Sequence, residues 1–133
     1  MKKEWLIIIC VVLLVFITIG AFFAWHYVIK PSQVYEFSLE DYTYYLEKFS
    51  SDKVAEPINN ADEAREKGIA ILCEAYGEKT ILSQKPFIVS CDQNTNSWMI
   101  SGTLPPVPLI LGGVAHIIID GSSGDVLAMW HTK

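Results

Sequence analysis

Residues 5–29 contain no Asp, Glu, Lys or Arg. Within that run, residues 6–24 read Leu-Ile-Ile-Ile-Cys-Val-Val-Leu-Leu-Val-Phe-Ile-Thr-Ile-Gly-Ala-Phe-Phe-Ala. As a helix these would extend roughly 28 Å at about 1.5 Å per residue, close to the thickness of a bilayer's hydrocarbon core. Trp5 lies at one end, and Trp25 and Tyr27 at the other, where amphipathic rings favour the headgroup zone. Lys2, Lys3 and the terminal amine precede the run, whereas only Lys30 follows it closely. The positive-inside bias therefore predicts a single-pass cell-membrane protein that contacts lipid through residues 5–29. Its N-terminus is expected in the cytoplasm and residues 31–133 on the extracytoplasmic side. A cleaved secretory signal would have a shorter apolar stretch ending in a small-x-small site. Here the run is longer, and bulky Phe22 stands two places before Ala24, so the expectation is an uncleaved anchor. Cys10 follows three isoleucines with no small residue before it and reads as an apolar filler rather than a lipidation site.

What remains beyond the anchor suits one small domain. The chain holds 10 Lys and Arg against 15 Asp and Glu; because Lys2, Lys3, Lys30 and Glu4 fall in the first thirty residues, residues 31–133 hold 7 against 14, a net of −7. Nucleic acid and anionic lipid both require a basic surface, so nucleic acid is not an expected partner. An acidic exterior suits a basic protein. Cys73 and Cys91 would lie outside the cytoplasm, where pairing is permitted; a disulfide and two buried free thiols both remain open. No Cys-x-x-Cys pair or closely spaced His cluster is present, so neither a metal nor a cofactor is expected.

Along the chain, residues 31–37 read as a short extended link. Ser38 offers an N-cap, Glu40 and Asp41 suit a first helical turn, and Leu39, Tyr42, Leu46 and Phe49 recur at helical spacing. This predicts a helix over 39–50, followed by a polar linker ending at Pro57. Asn59 or Asn60 caps the next helix, with Glu63 in the position of a capping box. Ala61, Ala64, Gly68, Ile71, Leu72 and Ala75 form one side of that helix, and their small size permits close approach to a sheet. Gly77 ends it. The period then changes to two. Strands are expected over 87–92, 98–104, 114–120 and 125–131, with a polar turn at 93–96 and another at 121–124. Pro105, Pro106 and Pro108 force a loop, which carries apolar Val107, Leu109, Ile110 and Leu111. The fold class is α+β: an N-terminal transmembrane helix, then helices packed on one face of an antiparallel meander. The expected division is an anchor at 1–30, a linker with a short helix at 31–56, and an α+β domain at 57–133.

Chemistry is sparse. His116 and Asp120 share a strand face but lie roughly 13 Å apart at about 3.3 Å per residue, too far for a hydrogen bond. Asp120 and Asp125 flank a Gly-Ser-Ser-Gly turn, where carboxylates serve the turn. His131 sits near the end of the chain, where fraying is common. No nucleophile elbow, phosphate loop or zinc signature occurs, so no catalytic residue is assigned and an enzyme is not expected. Gly112-Gly113 reads as a bulge or tight strand entry.

The order of small residues carries a resemblance. Pro57-Ile58-Asn59-Asn60-Ala61-Asp62-Glu63-Ala64 begins the long helix, and Ala75-Tyr76-Gly77-Glu78-Lys79 ends it. Lys85-Pro86-Phe87-Ile88-Val89 opens the sheet, followed by Trp98 and Gly102-Thr103-Leu104-Pro105. Gly112-Gly113-Val114-Ala115-His116-Ile117 and Gly124-Asp125-Val126-Leu127 complete the series. Over about residues 57–133 this resembles the immunity proteins with a nuclear-transport-factor-two-like (NTF2-like) fold found in bacterial polymorphic toxin systems. The resemblance implies a cystatin-like or cone-like α+β domain that neutralises a cognate toxin by binding it. It supplies no contact residues; Asp62, Glu63 and Glu66 are the acidic positions singled out for a basic partner. Two other functions fit such a fold on a membrane anchor. One is a small-molecule module, for which a cavity lined by Tyr42, Tyr45, Trp98 and Trp130 is the expected sign. The other is an accessory subunit of an envelope complex, recruited partly through the anchor.

Overall fold

The structure, a computed structural model, describes residues 2–28, 33–105 and 112–133, the side chains of 23–28 excepted. It divides into two compact units, Met1–Pro31 and Ser32–Lys133. The first is a single helix, α1 (Lys3–Val28). Its stretch Lys3–Phe22 is long and apolar enough to cross a membrane, with none of that window buried against protein. An N-terminal signal sequence meets the same test. The expected aromatic belt at Trp25 and Tyr27, Lys30, and the apolar loop residues Val107, Leu109, Ile110 and Leu111 lie outside the described side chains.

The second unit is α+β. Five strands, β1 (Val34–Glu36), β2 (Ile88–Asp92), β3 (Ser97–Ser101), β4 (Ala115–Asp120) and β5 (Val126–His131), form one sheet in the order β1-β2-β3-β4-β5. The meander β2–β5 is antiparallel as expected, with strand ends differing by one to three residues. β1 corrects the sequence reading: the segment taken as a link pairs with β2, and does so in parallel. Three residues are too few to show a period.

The helices correct it a second time, because they cover both faces of the sheet. On one face lie α3 (Ala61–Tyr76) and the short α4 (Glu78–Leu82). Here Ala64, Leu72 and Ile81 pack with Val89, Ile100, Ala115, Ile117, Ile119 and Val126. On the other face lie a 3-10 turn (Leu39–Tyr42) and α2 (Thr43–Lys48). Phe37, Leu39, Tyr42, Tyr45, Leu46 and Phe49 there pack on Met99, Ile118, Ala128 and Trp130. The expected 39–50 helix is thus a 3-10 turn followed by fewer than two α turns. The stretch expected as a linker is built into the domain rather than leading up to it. Residues 49–55 also cap the outer edge of β5: Met129 N donates to Phe49 O (3.0 Å), Val126 N to Lys53 O (3.0 Å) and Ala55 N to Gly124 O (2.6 Å). A bulge at Leu127, where Ile118 faces Ala128 but Ile119 faces Val126, lets β5 serve both cores.

Local rules hold where they are local. Asn60 Oδ1 accepts from Glu63 N at 2.9 Å. Glu63 Oε2 reaches back to Asn59 N (3.0 Å) and Asn59 Nδ2 (3.1 Å). The capping box forms with its return arm one residue earlier than the motif places it. Gly77 ends α3 at φ 92°, a conformation that L side chains rarely adopt. The Ser38 cap fails: its side chain makes no capping bond. Instead, buried Asp92 reaches across from β2, and its Oδ2 accepts from Leu39 N at 2.8 Å. Asp92 Oδ1 also accepts from Asn94 N at 2.9 Å, so one carboxylate ties the 3-10 turn to the β2–β3 turn. The Leu39 amide, foremost among these donors, holds the Asp92 carboxyl below the ordinary carboxylate range.

The stripe of small residues on α3 does what its spacing implies, with Ala64, Gly68 and Leu72 buried; Ala75 turns outward, and Ile69 and Cys73 take part instead. A Cβ on Gly68 would sit 2.9 Å from both Cδ1 and Cγ1 of Ile100. Gly68→Ala is therefore expected to destabilise the domain by about 1 kcal/mol: overpacking of about 1–3 kcal/mol outweighs the gain of about 1 kcal/mol in helix propensity. Chemical denaturation in the Ile100→Ala background checks this, because the cost of Gly68→Ala should vanish there.

Candidate functional site

The titratable residues of the meander do not converge. His116 Nδ1 lies 2.8 Å from Ser101 Oγ, and its ring stacks on Trp130 with centroids 4.9 Å apart. Asp120 Oδ1 accepts from Ser122 N (2.7 Å) and Ser123 N (3.1 Å). Asp125 Oδ2 accepts from Ser123 Oγ (2.9 Å). Both aspartates shape the β4–β5 turn, as their sequence context implies. His131 is exposed, with its ring 5.8 Å from Tyr76. No acid–base pair is assembled from these four. Among the described residues, no group of three or more His, Cys, Asp and Glu side chains is placed to hold a metal.

The aromatic set expected to line a ligand cavity is split by the sheet. Trp98 packs on the α3 side. Tyr42, Tyr45 and Trp130 pack on the α2 side. There Tyr45 stacks on Trp130 at 4.5 Å and Tyr42 sits 6.1 Å away, so the rings fill the space they were expected to enclose. Among the described residues, clefts lie elsewhere. One of about 460 Å³ runs between Arg65, Ile69, Lys85, Pro86 and Phe87. Another of about 190 Å³ is bounded by Glu36, Phe37, Cys91, Asp92, Gln93 and Asn94.

Cys73 and Cys91 are free thiols. Burial pushes the pKa of each upward, so neither is a ready thiolate. Gly113 meets the structural reading given to the Gly-Gly pair: a Cβ there would collide with the Thr132 carbonyl. Gly102 is a requirement the sequence did not reveal. Buried Gln84 fills the place of its side chain, with Gln84 Oε1 accepting from Ala115 N at 2.8 Å. Such a long-range polar clamp has no local pattern.

The acidic positions singled out on α3 divide. Glu63 belongs to the helix cap and faces Lys67 at 3.8 Å. Its hydrogen bond from the Asn59 amide, above all, holds its pKa below the ordinary value. Asp62 is exposed and pairs with Arg65 at 3.1 Å. Glu66 is exposed on the same helix. The stronger concentration of negative charge was missed. Glu36, Glu40, Asp41, Glu47 and Asp52 are all exposed, and Lys48 is the one cation among residues 33–52. Lys48 Nζ is taken up by Tyr44, donating to its Oη at 2.6 Å. The signal was present as a charge count per segment rather than per domain.

Burial, and after it the charge of His131, lowers the pKa of His116. A folded-state pKa below the unfolded value of about 6.5 means that the unfolded chain binds the extra proton. The stabilising contribution of neutral His116 is complete above that value and is lost as the pH falls from about 6.5 towards the folded pKa. Denaturation of the full chain at pH 7.5 and 5.5 should show a loss of stability at the lower pH that is smaller in His116→Gln.

Residues 68–133 match the family model described as NTF2 fold immunity protein. The match begins at Gly68 within α3, later than the 57 of the sequence resemblance, and takes in α4 and strands β2–β5. No curated protein and no solved structure matches the chain.

Proposed function

We infer that this chain, which belongs to the NTF2 fold immunity proteins through residues 68–133, protects its cell by binding a cognate bacterial toxin while held to the membrane by α1. The family match carries the reading. Supporting it are the filled aromatic core on the α2 face and the separation of His116, Asp120, Asp125 and His131 into structural roles. The domain acts by occupying the toxin's surface and has no reaction of its own. Its acidic surface, from Glu36 to Asp52 with Asp62 and Glu66 on α3, complements a basic toxin and speeds encounter. With Lys2 and Lys3 before the apolar run, the domain faces away from the cytoplasm. The toxin it meets therefore acts in the envelope or at the outer face, within a polymorphic toxin system.

Two measurements test this. Candidate toxins are taken from the genes flanking this one; cells producing the cognate toxin should survive when the full chain is co-produced, and that toxin should be captured with it from solubilised membranes. Growth arrest despite the full chain, with no capture, would reject the reading. For topology, exposed Ser122 is replaced (Ser122→Cys). A membrane-impermeant maleimide should label it in intact cells; labelling only after permeabilisation would put the domain on the other side.

A further inference from the structure

The two edges of the sheet are treated differently. The outer edge of β5 is closed by residues 49–55. Beyond β1, no strand lies among the described residues. The register fixes which groups of β1 face outward. Val34 faces Val89, Tyr35 faces Ser90 and Glu36 faces Cys91 in a parallel ladder, which continues as Phe37 N donates to Cys91 O at 3.4 Å. In such a ladder alternate residues bond the same neighbour. Phe37 and Tyr35 turn their amides toward β2, so the N–H and C=O groups of Val34 and Glu36 point away from the sheet. Exposed edges are commonly shielded by shortness, charge, Pro or a bulge; β1 is three residues long and its one charge, Glu36, is acidic, which leaves the edge open to a cationic strand. This one carries Val34 and Tyr35, which are 43% and 47% exposed. The cleft of about 190 Å³ opens at its end, with Glu36 and Asp92 among its walls. Glu40, Asp41 and Glu47 follow within eleven residues of Glu36.

We propose that β1 is a strand-addition site for the toxin, taking an extended segment that alternates apolar and basic residues. The inference rests on the toxin-binding reading and names the surface that performs it. Backbone bonds from Val34 and Glu36 supply register, and a Lys or Arg of the added strand enters the cleft beside Glu36. Main-chain pairing gives affinity in this mode and alternate side chains give specificity. The net charge of the segment selects a cationic strand and repels an acidic one. A second copy of this chain would bring Glu36 and the acids after it against their own kind, so the edge disfavours self-pairing.

The test uses the full chain in native membranes with the toxin that the survival assay identifies. A photo-crosslinking residue is placed at position 34, 66 or 122. Crosslinks to the toxin are expected from 34 and not from 122. Glu36→Lys, which leaves the β1–β2 bonds intact, should weaken toxin capture at least tenfold without shifting the thermal midpoint. Val34→Pro, which removes an outward amide, should do the same. Crosslinks from 66 or 122 but not from 34, or capture by Glu36→Lys equal to that by the unaltered chain, would overturn the β1 site and leave toxin binding standing. Failure of the unaltered chain to capture the toxin at all would overturn the functional reading and the β1 site with it.

Discussion

Ile117, Ile118 and Ile119 are consecutive in β4, and all three are fully buried. Side chains in a strand alternate between faces, so this is possible only if the sheet is covered on both sides. Several arrangements in the domain serve that requirement. α3 covers Ile117 and Ile119 and comes close because Gly68 leaves room for Ile100. The aromatic group of the 3-10 turn and α2 covers Ile118. The bulge at Leu127 keeps Val126 on the first face while Ala128 and Trp130 serve the second. Asp92 secures the second cover to the sheet by accepting the first amide of the 3-10 turn.

The α2 cover is short, and its composition explains how it suffices. Six α-helical residues are too few to persist alone. Tyr42, Tyr45, Phe49 and Trp130 compensate with large apolar area in close ring contact. The same packing removes the space that an NTF2-like cone offers a small molecule. The surface of the domain is unevenly charged. The cations Lys53, Arg65 and Lys67 are paired with Glu74, Asp62, Glu56 and Glu63. The segment from Glu36 to Asp52 has only Lys48 for balance. The proposal of a basic partner rests on that segregation more than on the overall net charge.

Much of this is legible in the amino-acid sequence. The apolar helix, the capping box around Asn60 and Glu63, the stop at Gly77 and the four-strand meander follow from periodicity and end signals, which act over a few residues. The family resemblance was carried by small residues in order. The two-sided cover was also written in the His-Ile-Ile-Ile run of β4 and was missed, because reading by alternation assigns one face to solvent. β1 was too short to show a period. The Asp92 cap of Leu39 and the Gln84 clamp against Gly102 join residues 53 and 18 positions apart, and no local rule reaches so far. At the site, the α3 acids were selected by charge and helix position, although the capping-box spacing already committed Glu63 to the helix end.

The central claim is that this domain neutralises by stoichiometric contact with a basic protein. Titration calorimetry of the full chain in lipid nanodiscs with the purified toxin that the survival assay identifies, repeated across ionic strengths, tests it most directly. A one-to-one complex whose affinity weakens steadily as salt rises is the predicted result. A toxin that shows no heat of binding at low salt, yet loses its activity progressively after substoichiometric exposure to the chain, would contradict it.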